Sequence, residues 1–221
     1  MAEFDKIFLV WRKGTGHRRV DVGILEKTNE GKHIFNYSPN FAGLQETEGV
    51  TPYTEFQDIT RTYNGNVAEI FGQRLMKSDR PDVDAFFNFW EVDKEKADDK
   101  FYLLGKTQGL VPTDNFEFLA EYNLVPGLHF LTEIAALSIE PKLEKGTVKP
   151  GDILRFELEP TNPKDIEAVK VFKDNLFVGY IKKHHCKVFH EIGSDKLSLT
   201  VKALDQSEYI KRLFVKVALE K

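Results

Sequence analysis

Cysteine is nearly absent from this chain of 221 residues: Cys186 stands alone, so no disulfide can form within it and a reducing compartment is expected. Long apolar runs are missing as well. Stretches such as Ile134–Leu137 fall far short of the roughly 20 residues that cross a bilayer, and no membrane segment is expected. The opening Met-Ala-Glu-Phe-Asp has neither the basic stretch nor the apolar core of a secretion signal, which makes the cytoplasm the expected location. Neither sign of charge dominates. With 31 Lys+Arg against 35 Asp+Glu, the formal net charge of −4 does not advertise nucleic-acid binding by the chain as a whole.

Catalytic patterns are lacking too. No G-x-S-x-G elbow occurs, and Lys13-Gly14-Thr15-Gly16-His17 has its lysine first and a strand after it, the reverse of a phosphate loop, so it reads as a hairpin turn. His184, His185, Cys186 and His190 are too crowded for the spaced pairs of a structural zinc site. Asp79, Asp82, Asp84, Asp98 and Asp99 fall at helix starts, where carboxylates are ordinary. No paired acid and base can be identified. The expectation is a protein that is not an enzyme and has no metal or cofactor.

What remains is rich in core material: 41% hydrophobic residues with 18 Phe, enough for one large domain or two of ordinary size. Lys6–Trp11, Arg19–Leu25 and His33–Tyr37 read as an antiparallel meander. The stretch 38–58 has no sustained period and reads as a long ordered loop. Val67, Ile70, Phe71, Arg74 and Leu75 predict a helix. A second is expected after Ser78 or Asp79, with Pro81 in its first turn and Phe86, Phe87, Phe89 and Trp90 on its buried side; a third covers Ala97–Leu104. Arg74 and Arg80 either clamp an anion or pair with Glu69, Asp82 or Asp84. Thr113–Glu121 is extended, and Pro126-Gly127 marks a boundary.

Beyond that boundary only strands are expected: His129–Leu137, then Leu154, Phe156 and Leu158 in alternation, Val169 with Val171, Phe177–Ile181, Leu197–Ala203 and Leu213–Leu219. The predicted architecture is an α+β module over 1–127, a meander with short helices, followed by an all-β small barrel over 128–221. Charge divides the same way. Residues 1–128 hold 15 Lys+Arg against 21 Asp+Glu, and residues 129–221 hold 16 against 14.

The segment Leu158-Glu159-Pro160-Thr161-Asn162-Pro163-Lys164-Asp165-Ile166-Glu167-Ala168-Val169, followed by Val178-Gly179-Tyr180-Ile181-Lys182-Lys183, resembles the signature of the HIRAN domain, a turn of the form E/D-P-x-N-P-x-D and a V-G-[YH] strand. The resemblance covers about 129–221. It implies a compact OB-like or SH3-like barrel that holds single-stranded DNA, captured at a free 3′ end in eukaryotic members. By that analogy Asn162 and Asp165 hydrogen-bond sugar hydroxyls or base edges, Tyr180 stacks or lines the pocket, and Lys183 meets a phosphate. The densest basic run, Lys182, Lys183, His184, His185, Lys187 and His190, is interleaved with Tyr180 and Phe189, the mixture a single-strand groove requires. The candidate nucleic-acid-binding residues are therefore Asn162, Lys164, Asp165, Tyr180, Lys182, Lys183 and Lys187.

Two departures stand out. Lys164 occupies a position held by Tyr in eukaryotic members, and Ala135-Ala136-Leu137-Ser138 replaces an Arg flanked by aromatics. The bland reading of the turn is Asx-type fold-keeping, which is compatible with ligand binding. The basic run reads alternatively as a solvated helical turn with Val188 and Phe189 inward. Residues before Gly127 resemble, more loosely, the N-terminal subdomain of HipA-like proteins, through the meander, Phe35-Asn36-Tyr37, Phe71-Gly72-Gln73-Arg74-Leu75 and Arg80-Pro81-Asp82, which suggests a bacterial two-module protein. The expected partner is single-stranded DNA or a DNA end. The rival expectation is a protein-interaction module that docks a protein partner on the acidic N-terminal part.

Overall fold

The computed structural model describes residues 2–14, 16–137, 143–193 and 196–220; Thr15 of the predicted hairpin turn and Ser138 lie outside them. Two compact units emerge, Phe4–Glu121 and Tyr122–Lys221 with Met1–Glu3. Tyr122 belongs with the second because its ring stacks on Phe130 with 3.9 Å between centroids.

The N-terminal unit is α+β. Strands β1 (Lys6–Trp11), β2 (Val20–Lys27) and β3 (His33–Tyr37) form the expected meander, extended by β4 (Tyr63–Gly65) on one edge and β5 (Phe116–Ala120) on the other. All pairings are antiparallel. Helices α1 (Phe41–Glu48), α2 (Val67–Phe71), α3 (Val83–Trp90) and α4 (Lys100–Thr107) accompany this sheet. Aromatic rings build the core: Phe71 meets Phe35 and Phe118 edge-on, each at 5.0 Å. Tyr37 ties the connecting chain to it, its hydroxyl donating to the Phe56 carbonyl and accepting from the Tyr53 amide, both at 2.8 Å.

Three local expectations are corrected. The stretch 38–58 contains α1, which sequence periodicity misses because only Phe41 and Leu44 of its two turns are buried. Pro81 precedes the N-cap Asp82 instead of sitting in the first turn of α3. The third helix is α4, beginning later than expected because Asp99 caps it by accepting from the Tyr102 amide.

The C-terminal unit is a curled, all-β half-barrel. Its strands are β6 (His129–Glu133), β7 (Ile153–Leu158), β8 (Val169–Lys173), β9 (Leu176–Tyr180), β10 (Leu197–Gln206) and β11 (Ile210–Leu219), in the order β6-β11-β10-β7-β8-β9. A short helix, α5 (Lys187–Glu191), follows a 3-10 turn at Lys183–His185. Strand β6 ends at Glu133, short of the expected Leu137. The chain just beyond it still reaches β9: Ala135 and Tyr180 exchange two backbone hydrogen bonds, of 2.8 and 3.1 Å, which join the two ends of the sheet. That approach requires a glycine next door. Gly179 has φ +147, and a Cβ there would lie 2.5 Å from the Ala135 carbonyl oxygen.

Candidate functional site

Strand β7 stops where Pro160 interrupts the ladder, and the chain turns through 161–167 before entering β8. Asn162 shapes this turn. Its Oδ1 accepts from the Lys164 amide at 2.9 Å and the Asp165 amide at 3.2 Å. Asp165 repeats the device one step later, accepting from the Glu167 amide through Oδ1 at 3.0 Å. The fold-keeping reading of the turn is thus realised in full.

The same turn also reaches across the sheet. Asn162 Nδ2 donates to Glu159 Oε2 at 2.7 Å and lies 3.5 Å from the Tyr180 hydroxyl, which itself donates to Glu159 Oε2 at 3.0 Å. Lys170, directly opposite Tyr180 in the β8–β9 ladder, pairs with Glu159 Oε1 at 2.5 Å. Glu159 therefore gathers the end of β7, the turn and β9 on one carboxylate. These donors hold its carboxyl below its ordinary value, the Lys170 ammonium contributing most and Asn162 next. Partial burial, followed by the bond to Glu159, pushes the Tyr180 phenol up.

Of the seven candidate residues, Asn162, Asp165 and Tyr180 converge here. Lys164 sits exposed on the turn, and Lys183 is exposed just after β9. Lys187 is half-buried and donates to Asn123 Oδ1 at 3.0 Å. Lys182 is a correction: its side chain is 0% exposed and pairs with Glu133 at 3.4 Å, so it faces the interior and meets no ligand. Strand alternation has ended at that point, and Ile181, Lys182, His185 and Cys186 are all buried. His185 packs inward with Nδ1 2.8 Å from Thr132 Oγ1. Burial pushes the Cys186 thiol well above its usual range, which makes it an inert core group. His190 returns to the site's neighbourhood, its Nε2 donating to the Glu167 carbonyl at 2.9 Å.

Sequence reasoning missed Glu159, the aromatic row beyond Tyr180 and Ile166. Glu159 lies inside the quoted motif, yet nothing marks a carboxylate before Pro160 as the hub. Phe177 and Phe172 continue from Tyr180 as a half-buried aromatic row, with centroid separations of 5.2 and 5.8 Å, and Arg155 covers the Phe172 ring at 4.2 Å. Ile166, in the turn itself, is 73% exposed. Among the described residues no group of three or more metal-ligating side chains occurs, and no helix is long and apolar enough to cross a membrane.

A small antiparallel half-barrel with a polar cluster at the open end of its β8–β9 hairpin, bordered by a turn of the Asn-Pro-x-Asp type, sums up the site. Residues 128–212 match the family model of the HIRAN domain. Similar solved structures include the HIRAN domain of human HLTF, 18% identical, spanning 42% of this chain and 77% of that one, with a TM-score of 0.33. Another is a protein from Lactobacillus plantarum, 18% identical, spanning 43% of this chain and 95% of that one, with a TM-score of 0.34. No curated protein matches. The family match does not extend before residue 128, and the resemblance to HipA-like proteins gains no support from it.

Proposed function

We propose that residues 128–212 form a HIRAN domain, a non-catalytic binder of single-stranded DNA that holds a strand by its 3′ hydroxyl end. The observation that supports this reading is the acceptor-rich cluster of Glu159, Asn162 and Asp165 beside Tyr180. Asp165 spends only Oδ1 on the turn, leaving Oδ2 without a hydrogen-bond partner among the described residues, and Glu159 lies on the other side of Asn162. A carboxylate accepts from a hydroxyl and repels a phosphate. The second hydrogen of Asn162 Nδ2, now aimed along the long contact to Tyr180, is available to a sugar or base oxygen. Ile166 and the rings of Tyr180 and Phe177 supply apolar surface for the terminal nucleotides. Lys164 and Lys183 stand outside this acceptor cluster, where a strand's phosphates would pass.

Fluorescence anisotropy with oligonucleotides labelled at the 5′ end tests the reading. The 3′-hydroxyl strand is expected to bind at least about tenfold tighter than its 3′-phosphate counterpart, a difference of about 1.4 kcal/mol, and Asn162→Ala/Asp165→Ala should erase the preference. Equal affinity for both ends would defeat the end-binding assignment. No binding at low salt would defeat the function.

A further inference from the structure

In the N-terminal unit, the 3-10 turn Gly72–Arg74, the segment after it, one face of α3 and the exit of α4 border an open cleft of about 410 Å³. That volume lies within the roughly 300–1,000 Å³ of small-molecule sites. Leu75, Met76, Phe86, Trp90, Leu110 and Pro112 make its walls apolar. Phe86 and Trp90 sit 6.4 Å apart on consecutive turns of α3. Met76 adds an adaptable thioether.

Three polar residues of the lining are cationic, and the fourth, Thr107, donates its hydroxyl to the Leu103 carbonyl at 2.8 Å. Arg74 is held at the floor, its side chain 4% exposed, by Asp114 at 2.8 Å and by the Gly109 and Phe116 carbonyls. Arg80, at the mouth, is matched by both oxygens of Asp82, each at 2.9 Å. Lys77 is exposed and makes no ion pair among the described residues. Both arginines thus have carboxylate partners, the lining contains no carboxylate, and one positive charge is left uncompensated at the rim of an aromatic cleft.

We propose that this cleft binds a small molecule with a flat apolar body and a single anionic group, the body lying against Phe86 and Trp90 and the anion meeting Lys77. The ligand class is an aromatic monoanion such as a carboxylate or sulfonate. It is independent of the DNA reading, since every residue involved belongs to Phe4–Glu121.

The test is titration of the full chain with 1-anilinonaphthalene-8-sulfonate, read by dye emission and by energy transfer from tryptophan, beside the uncharged N-phenyl-1-naphthylamine. One saturable equivalent of the anionic dye is expected. Lys77→Gln should weaken it about two- to fivefold, the range of an exposed ion pair, and leave the uncharged dye unchanged. Leu110→Trp, checked for native fold by circular dichroism, should fill the cleft and abolish binding of both. Asn162→Ala should alter neither. Absent saturation, undiminished binding to Leu110→Trp, or equal effects of Lys77→Gln on the two dyes would each overturn the proposal.

Discussion

Lys182 and Lys183 are sequence neighbours with opposite surroundings. One is sealed beside Glu133, which also accepts from Arg212 at 2.7 Å, and the other is exposed beyond β9. Removing Lys182 takes from the buried Oε2 of Glu133 its cation and leaves Oε1 to Arg212, so Lys182→Met is expected to destabilise the domain by about 1–3 kcal/mol. Urea denaturation measures this, and DNA affinity per folded molecule should not change. Lys164→Ala should do the reverse, weakening strand binding while the unfolding midpoint stays where it is, because its side chain lies exposed on the turn.

The turn 161–167 and the β8–β9 hairpin act together through Glu159. Because the folded state depresses its carboxyl below the ordinary value of 4.5, this bracket contributes stability that is present above pH 4.5 and lost as pH falls through the lower, folded-state value. In a nuclear magnetic resonance titration, the Asn162 side-chain amide should therefore hold its shift down to pH 4.5 and move only below it. Along the hairpin, Phe177→Ala removes the ring beside Tyr180 and should weaken single-strand binding by roughly 1–3 kcal/mol, the contribution of one stacked base; an unchanged dissociation constant would remove the aromatic row from the site. Much of this element-level picture is legible in the letters. Asn162, Pro163 and Asp165 announce a turn by their own backbone chemistry, and Val178-Gly179-Tyr180 announces the strand that meets it. The role of Glu159 is not legible, because its three partners come from residues 3 to 21 positions away. Neither is the burial of Lys182, which depends on where β9 ends, nor α1, whose two turns bury too few residues to show a period.

Across the whole chain, charge is shared unequally, the acidic excess falling before residue 129 and the basic excess after it. Even so, cations along β8 are matched by acids, as Lys170 is by Glu159 and Lys173 is by Asp152 and Asp174. Phosphate attraction should accordingly be slight. With Lys164 and Lys183 meeting a phosphate each, a plot of log affinity against log salt should fall with a slope of about −1.4, from ~0.7 per phosphate on single strands. A slope several times steeper would mean that the strand follows another, more basic surface.

The cross-link between Ala135 and Tyr180 has a dynamic consequence. A half-barrel whose ends are stitched by two hydrogen bonds at one place opens there before it opens anywhere along the long β10–β11 ladder. Deuterium should accordingly enter the Ala135 and Tyr180 amides early, and a nucleotide clamped against the Tyr180 ring should delay its entry at both. Occupancy of the site is then written into the stiffness of the seam.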